Sequence, residues 1–415
     1  MNVLVLDGNE NQAVAAVRAL DAAGHRAFAG ADTSWSKAGW SRACAGTFVY
    51  PPPEEDASAF VRSIARQASQ TPSTLVVPMT ERTTLPLSAA RGAISVAGAR
   101  MVLPSHDSVL RTFDKQETTR VARDLHVDVP LTTTVAGEAD LRACETSLRY
   151  PVVLKPRSSQ EVVGAAVRTT GGPLYARDSG ELRAAWADLS RRCASALVQE
   201  YVEGSGVGYF ALMRRGVMRA EFAHRRLRDV RPTGSGSSLR VSIAPPPRVR
   251  DAALAILAAL GWHGVAMVEF RVRADGTPVF LEVNGRFWNS LALPIHAGVN
   301  FPALLAELAE NGDVPLTTTY REGVRCRWLL GDARHLVEVL RGAPPSFPGA
   351  FPARLSTFAA VLSASAGTYH DNFEWRDPLP ELGDWLHFLV RKLPRRVRQP
   401  RADGVWDAAG RPSHP

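Results

Sequence analysis

Residues 262–290 read WHGVAMVEFRVRADGTPVFLEVNGRFWNS. Two runs of alternating β-prone residues, 265–272 and 278–284, flank Asp275-Gly276. That dipeptide predicts a hairpin, because glycine tolerates the positive φ of a tight turn. With Asp275 and Gly276 at its centre, Ala274 opposes Thr277, Val272 opposes Val279, Phe270 opposes Leu281 and Glu269 opposes Glu282. Directly opposed residues hold their Cβ atoms about 4.5–5.5 Å apart, where like charges repel. The strand period of two puts Asn284 on the face of Glu282. Two carboxylates and a carboxamide therefore converge, with no lysine in the hairpin to neutralise them. A hard divalent cation such as Mg²⁺ would relieve the repulsion, since it takes oxygen ligands and usually only one or two carboxylates. The plain alternative is an exposed hairpin face on which Glu269 pairs with Arg271 or Arg286, and from the hairpin alone both readings stand.

A chain of 415 residues is long enough for two or three domains, each with its own core. Its hydrophobic share of 45% and charged share of 22% are those of a globular protein. Cys44, Cys144, Cys193 and Cys326 have no paired spacing, which excludes a disulfide framework or zinc site and suits a reducing cytoplasm. The N-terminus enters the short apolar run Val3-Leu4-Val5-Leu6 without a basic segment, and the longest apolar run, 252–260, is too short to span a bilayer. A cytoplasmic location and no transmembrane segment are the expectation. The net charge of +8 is concentrated at the C-terminus, where Arg391, Lys392, Arg395, Arg396, Arg398 and Arg401 form a basic tail. Such a tail can meet an anionic surface or simply stay solvated. No aromatic-basic interleaving or recognition-helix pattern supports nucleic-acid binding.

Residues 1–105 alternate strand and helix patterns: strands at 3–6, 26–29, 47–49, 74–78 and 100–103, with a helix over 12–23 stopped by Gly24. This predicts a parallel, Rossmann-like sheet. After the first strand only Gly8 is present, not three glycines, so the unit reads as structural or substrate-facing and not as a dinucleotide domain. Asp114 caps a helix running to about His126, with Glu117 at its third position. The apolar strand 150–156 carries Lys155, which is costly to bury unless it meets an anion; the alternative is a lysine that snorkels out at the strand end. A strand over 196–202 runs into a hinge at Glu203-Gly204-Ser205-Gly206. His224-Arg225-Arg226-Leu227-Arg228, a flexible loop at 233–238 and Arg240 suit phosphate or carboxylate binding, or form a solvated basic loop. Helices follow at 250–260, 301–311, 335–341 and 379–393, with proline-rich turns at 344–352. The last helix is amphipathic, gathering Leu382, Leu386, Leu389 and Val390 on one side, and docking on the main body is preferred to membrane contact.

The order of Phe113-Asp114-Lys115, the Lys155 strand, Gln199–Val202, Glu269 and Glu282-Val283-Asn284-Gly285-Arg286 resembles the ATP-grasp superfamily of carboxylate-activating ligases. The last element matches its Glu-x-Asn-x-Arg motif and is the most specific. The continuation through Phe287-Trp288-Asn289-Ser290 is similar to carboligase-like proteins related to carbamoyl phosphate synthase and biotin carboxylase. The resemblance implies an α/β and α+β fold: a Rossmann-like pre-ATP-grasp domain (1–105), a two-lobed ATP-grasp domain (106–325, with a small lid lobe at about 145–202) and a C-terminal helical extension with the basic tail (326–415). It implies that Lys115 and Lys155 hold the phosphates of ATP, and that Glu200, Tyr201 and Val202 line the adenine pocket, Tyr201 and Val202 through backbone groups. Glu203 is then left as ribose partner. Glu269, Glu282 and Asn284 would hold Mg²⁺ or Mn²⁺, Arg286 would stabilise the acyl-phosphate transition state, and Arg240 or a neighbour would grip the triphosphate or the substrate carboxylate. The loop 157–164 departs from the family by holding one glycine where a glycine-rich flap is usual.

The implied activity is ATP-dependent ligation of a carboxylate to an amine through an acyl phosphate, releasing ADP and phosphate, with small-molecule partners and a homodimer as a compatible assembly. A bicarbonate-using enzyme of the carboxylase or carbamoyl phosphate synthase kind is the alternative within catalysis. A non-catalytic nucleotide-binding sensor is the alternative outside it. Mechanistically, positioning and charge neutralisation would dominate, with His224 and His263 as acid-base candidates.

Overall fold

The apolar run after Met1 forms β1 (Asn2–Val5), the centre of a five-stranded sheet that also contains β2 (Arg26–Ala31), β3 (Cys44–Val49), β4 (Thr74–Val77) and β5 (Ala99–Arg100). The computed structural model describes residues 1–164, 166–344, 347, 350–363 and 367–392, apart from the side chains of residues 235, 391 and 392. The order β3-β2-β1-β4-β5 is parallel throughout, as the strand-helix alternation predicts. Where a dinucleotide fingerprint would follow β1, Asp7 instead accepts hydrogen bonds from Arg82 Nε (3.0 Å), Thr80 Oγ1 (2.9 Å) and Thr83 Oγ1 (2.6 Å). Arg82 also pairs with Asp32 and Glu54, each at 3.0 Å, so charged side chains fill the strand ends.

A small antiparallel sheet follows, in the order β10-β7-β11-β6, from β6 (Thr132–Val135), β7 (Val152–Pro156), β10 (Leu174–Ala176) and β11 (Ala196–Glu200). The small lobe thus begins before residue 145, because β6 pairs with β11 and the helix Glu138–Glu145 packs on it. Between β7 and β10 the chain forms a separate hairpin, β8 (Gln160–Val163) and β9 (Ala166–Thr169), and the Val167 amide donates to the Pro53 carbonyl of the N-terminal unit at 3.0 Å.

The largest sheet has seven strands, ordered β16-β15-β12-β13-β14-β17-β18. They are β12 (Ser205–Arg214), β13 (Val217–Arg231), β14 (Ser235–Ile243), β15 (Gly264–Val272), β16 (Pro278–Asn284), β17 (Arg325–Arg327) and β18 (Thr368–His370). The expected loop at 233–238 is largely strand: the chain turns at Thr233-Gly234, and Ser235 onward is β14. One face of this sheet, through Phe210, Leu212 and Met267, shares a core with Val3, Val5 and Val14 of the N-terminal unit. The other, through Val268, Phe270 and Val283, packs on the helices Lys115–Asp124 and Pro247–Ala259. The small lobe keeps its own core around Leu154, Trp186 and Val198.

The segment after residue 325 is part of this body, since it supplies β17 and β18. It then reaches back to the N-terminal unit, where Arg18 Nε donates to Asp377 at 2.9 Å and Lys37 Nζ pairs with Asp384 at 2.7 Å. Asp384 lies on the helix Leu379–Lys392 and also accepts from Trp328 Nε1 (2.5 Å) and Asn372 Nδ2 (3.1 Å). Arg395, Arg396, Arg398 and Arg401 of the basic tail lie outside the described residues, as does part of the proline-rich stretch.

Lys37 and Asp384 are both buried, so removing one partner strands the other's charge. Lys37→Ala is expected to lower the unfolding free energy by about 3 kcal/mol or more, read by urea unfolding. An unchanged unfolding midpoint would show that this pair does not fasten the C-terminal segment.

Candidate active site

Glu269 and Glu282 do stand opposite each other, but not by the register expected of a two-residue turn. The Gly276 amide donates to the Arg273 carbonyl (3.0 Å) and the Arg273 amide to the Thr277 carbonyl (2.9 Å), so three residues make the turn, with Gly276 at φ +84°. Val272 therefore pairs with Pro278, Arg271 with Val279 and Phe270 with Phe280. A bulge then absorbs Leu281 and restores the pairing of Glu269 with Glu282 and Met267 with Asn284. Leu281 and Glu282 both line a cavity of about 330 Å³ between the small lobe and the large sheet.

Strand alternation sends Met267, Glu269 and Arg271 into this cavity, and Val268 and Phe270 into the core behind it. Carboxylates at about 5 Å repel by about 3 kcal/mol at an effective dielectric near 20, so partners are required. Arg226 on β13 pairs with Glu269 at 2.5 Å, and Lys115, just after the Asp114 cap, approaches Glu282 at 3.8 Å. Lys115 also donates to Ser159 at 2.9 Å. Asn284 Nδ2 lies 3.3 Å from Glu269 and 3.5 Å from Glu282, while Arg286 donates to Asn284 Oδ1 at 2.9 Å. Lys155, at the end of β7, lines the opposite wall.

Burial pushes the Glu269 carboxyl up, opposed by Arg226 and reinforced by Glu282. Burial acts on Glu282 in the same sense but is outweighed by Lys115 and Lys155, so its carboxyl lies below the usual range. Burial lowers the Lys155 ammonium, with Glu282 the chief opposing influence. The two carboxylates are thus differentiated by their cationic neighbours. The donor set fits Mg²⁺ or Mn²⁺: both carboxylates point at one place, and turning over the Asn284 amide adds its oxygen.

Across the cavity stand five cations, Lys115, Lys155, Arg226, Arg271 and Arg286, against three carboxylates, Glu200, Glu269 and Glu282. That excess suits a polyanion. Elsewhere on its lining, Tyr201 and Tyr175 pack edge to face at 6.1 Å beside Val202, Leu281 and Pro130, and Phe347 backs both tyrosines from outside the cavity. This apolar part suits a flat ring. The Tyr201 amide is already engaged, donating to the Pro151 carbonyl at 3.1 Å.

Two residues named from sequence are placed elsewhere. Arg240 is the cross-strand partner of Arg226, one strand further from the hairpin, and is buried against Asp371, which the C-terminal segment brings beside it. It does not line the cavity; Arg226 does. Glu203 is exposed at the hinge and also does not line it. The hinge glycine is required there, since Gly204 has φ +146° and a Cβ would meet the Val272 carbonyl oxygen at 2.4 Å.

The departure in the flap resolves differently from its sequence: Ser159, Gly171 and Gly172, on either side of the β8–β9 hairpin, line the cavity. His224 lines it too, with both ring nitrogens unpartnered, and burial holds its imidazole well below its ordinary pKa. His263 instead bonds the Met213 carbonyl at 3.3 Å and does not line the cavity. His224 and Arg226 share a strand face, so the period of two could have singled out Arg226 over its neighbours. The approach of Tyr175 and Ser159 had no sequence signal.

The family described as ATP-grasp in the biosynthetic pathway with Ter operon matches residues 192–331. A D-alanine–D-alanine ligase from Anaeromyxobacter sp. (strain Fw109-5) is 29% identical over 187 residues, covering 42% of this chain and 58% of that protein. The chain therefore spans under two thirds of that relative's length. Among solved structures, L-amino acid ligase from Bacillus licheniformis aligns with TM-score 0.58 at 16% identity, over 74% of this chain and 73% of that one. N5-carboxyaminoimidazole ribonucleotide synthetase in its ADP complex aligns with TM-score 0.64 at 13% identity, over 87% and 96%. The biotin carboxylase domain of Hydrogenobacter thermophilus 2-oxoglutarate carboxylase, in complex with MgADP, ADP and bicarbonate, aligns with TM-score 0.60 at 14% identity, over 78% and 73%. At these identities the structural matches speak for the fold. Residues 192–331 thus match an ATP-grasp family, the Glu-x-Asn-x-Arg element falls inside that match, and the chain shares its fold with these ligase and carboxylase structures.

Proposed function

We propose that this protein is an ATP-dependent carboxylate–amine ligase. The observation that carries the reading is the Glu269–Glu282 pair, with Asn284 and Arg286 beside it and Lys115 and Lys155 near it, in a cavity whose lining is aromatic elsewhere. A nucleoside triphosphate matches both parts: a flat base against Tyr201 and Val202 with Glu200 at the rim, and phosphates among the cations. Mg²⁺ or Mn²⁺ on Glu269, Glu282 and Asn284 would neutralise the carboxylates and draw charge from the phosphate oxygens.

The chain's own residues supply the rest. Lys155 binds phosphate oxygens from the small lobe and Lys115 from the helix packed on the large sheet, where Ser159 holds it in place. Arg286 lies beside the metal ligands, where negative charge builds as a substrate carboxylate oxygen attacks the γ-phosphorus and ADP departs. Arg226 takes the anion-binding role expected of Arg240. An amine then attacks the resulting acyl phosphate, forming the amide and releasing phosphate. The small lobe and the β8–β9 hairpin exclude water, which would otherwise hydrolyse the acyl phosphate. The matched ligases of D-alanine and L-amino acids favour an amino acid as one substrate.

ADP release with MgATP is to be measured against pools of amino acids, hydroxy acids and bicarbonate. The expected result is turnover with an amino-acid pool, and a loss of about 10²–10³-fold in Glu282→Ala. Turnover with bicarbonate alone would replace the amide-forming reading with a carboxylase-like one, and nucleotide binding without turnover in any pool would support a sensor. EDTA is expected to abolish turnover, and Mg²⁺ or Mn²⁺ in excess to restore it. Activity that survives chelation would remove the metal from the proposal.

A further inference from the structure

The helix Leu379–Lys392 is attached to the protein by the side that carries Glu381, Gly383, Asp384 and Phe388, the last packed with Val230, Trp328 and Leu330. Glu381, Gly383 and Asp384 are buried, Asp384 on Lys37 and Gly383 against the side chains of Lys37 and Trp40. The opposite side carries Leu382, Trp385, Leu386, Leu389 and Val390, at the 3-1-3-1 spacing that makes one continuous stripe along a helix. All five are between 36% and 54% exposed. A surface helix of a soluble body ordinarily turns such a stripe inward. Here the sequence expectation that this apolar side docks on the main body is reversed, because the acidic side finds Lys37, Trp328 and Asn372. Immediately after the stripe, residues 391–401 contain six cations and no acidic residue.

Stripe and cations together select the partner. A nucleic acid would satisfy the cations but offers nothing to the stripe, and an apolar protein groove would cover the stripe but has no need of the cations. We propose that the protein docks on an anionic phospholipid surface, with Leu382, Leu386, Leu389 and Val390 entering the acyl boundary, Trp385 at headgroup level and the basic tail on the lipid phosphates. Such docking lies in the membrane plane and needs no spanning segment; among the described residues no helix is long and apolar enough to cross a membrane.

The test is co-sedimentation of the full chain with vesicles of phosphatidylcholine alone and of phosphatidylcholine mixed with phosphatidylglycerol, at low and high salt. Binding is expected only with the anionic vesicles. The double substitution Leu386→Glu, Leu389→Glu should weaken it by at least about tenfold, and Arg395→Ser, Arg396→Ser, Arg398→Ser by about a hundredfold at low salt. The leucine variant should keep its melting temperature, since Leu386 and Leu389 are 37% and 54% exposed. No binding by the full chain overturns the proposal. So does binding unaffected by the leucine substitutions, which would leave a purely electrostatic tail. A concentration-dependent dimer abolished by those leucine substitutions would assign the stripe to a second copy and overturn it as well.

Discussion

Two carboxylates forced to face each other across a bulged hairpin are the constraint around which the site is arranged. Backbone pairing holds the Cβ atoms of Glu269 and Glu282 opposite each other. Their repulsion is relieved from outside the hairpin: by Arg226 from β13, by Lys115 from the helix packed behind β16, and by Lys155 from the small lobe. Three separate parts of the chain thereby gain a reason to approach one point. The unequal neighbours also separate the two carboxyl groups electrostatically, with Glu282 held ionised by the lysines.

The packing divides the molecule into a fixed floor and a separately cored roof. The N-terminal sheet and the large sheet share apolar contacts, so they are expected to behave as one body. The small lobe has its own core and meets the rest at the hinge at Gly204, at the contact of Val167 with Pro53, and where Ser159 and Arg157 bond Lys115 and Asp114. The cavity lies at that junction, which is where ligand clefts commonly form. The C-terminal segment works on the other side: it lengthens the large sheet with β17 and β18, encloses Arg240 with Asp371, and ties Arg18 and Lys37 of the N-terminal unit to the same segment. A stretch with little readable motif content therefore closes the body, through buried ion pairs and through the apolar packing of Trp328, Leu330 and Phe388 on Val230.

Much of this was determined by the sequence alone, for local reasons. Period-two and period-3.6 patterns set the parallel N-terminal sheet, the Asp114 cap places Lys115, and Asp275-Gly276 folds the hairpin that brings Glu269, Glu282 and Asn284 together. The face on which each of these side chains lies follows from alternation within a few residues, and the Glu-x-Asn-x-Arg spacing needs no distant partner to be recognised. The tertiary structure decided what depends on long-range neighbours. A three-residue turn and the bulge at Leu281 changed the register while sparing the carboxylate pair. Two arginines paired across adjacent strands, Arg226 and Arg240, look equivalent in sequence, but only one borders the cleft, because Asp371, 131 residues away, claims the other. The last helix shows the same limit: its amphipathic pattern is plain in the sequence, yet which side faces the protein was decided by a buried lysine some 347 positions earlier.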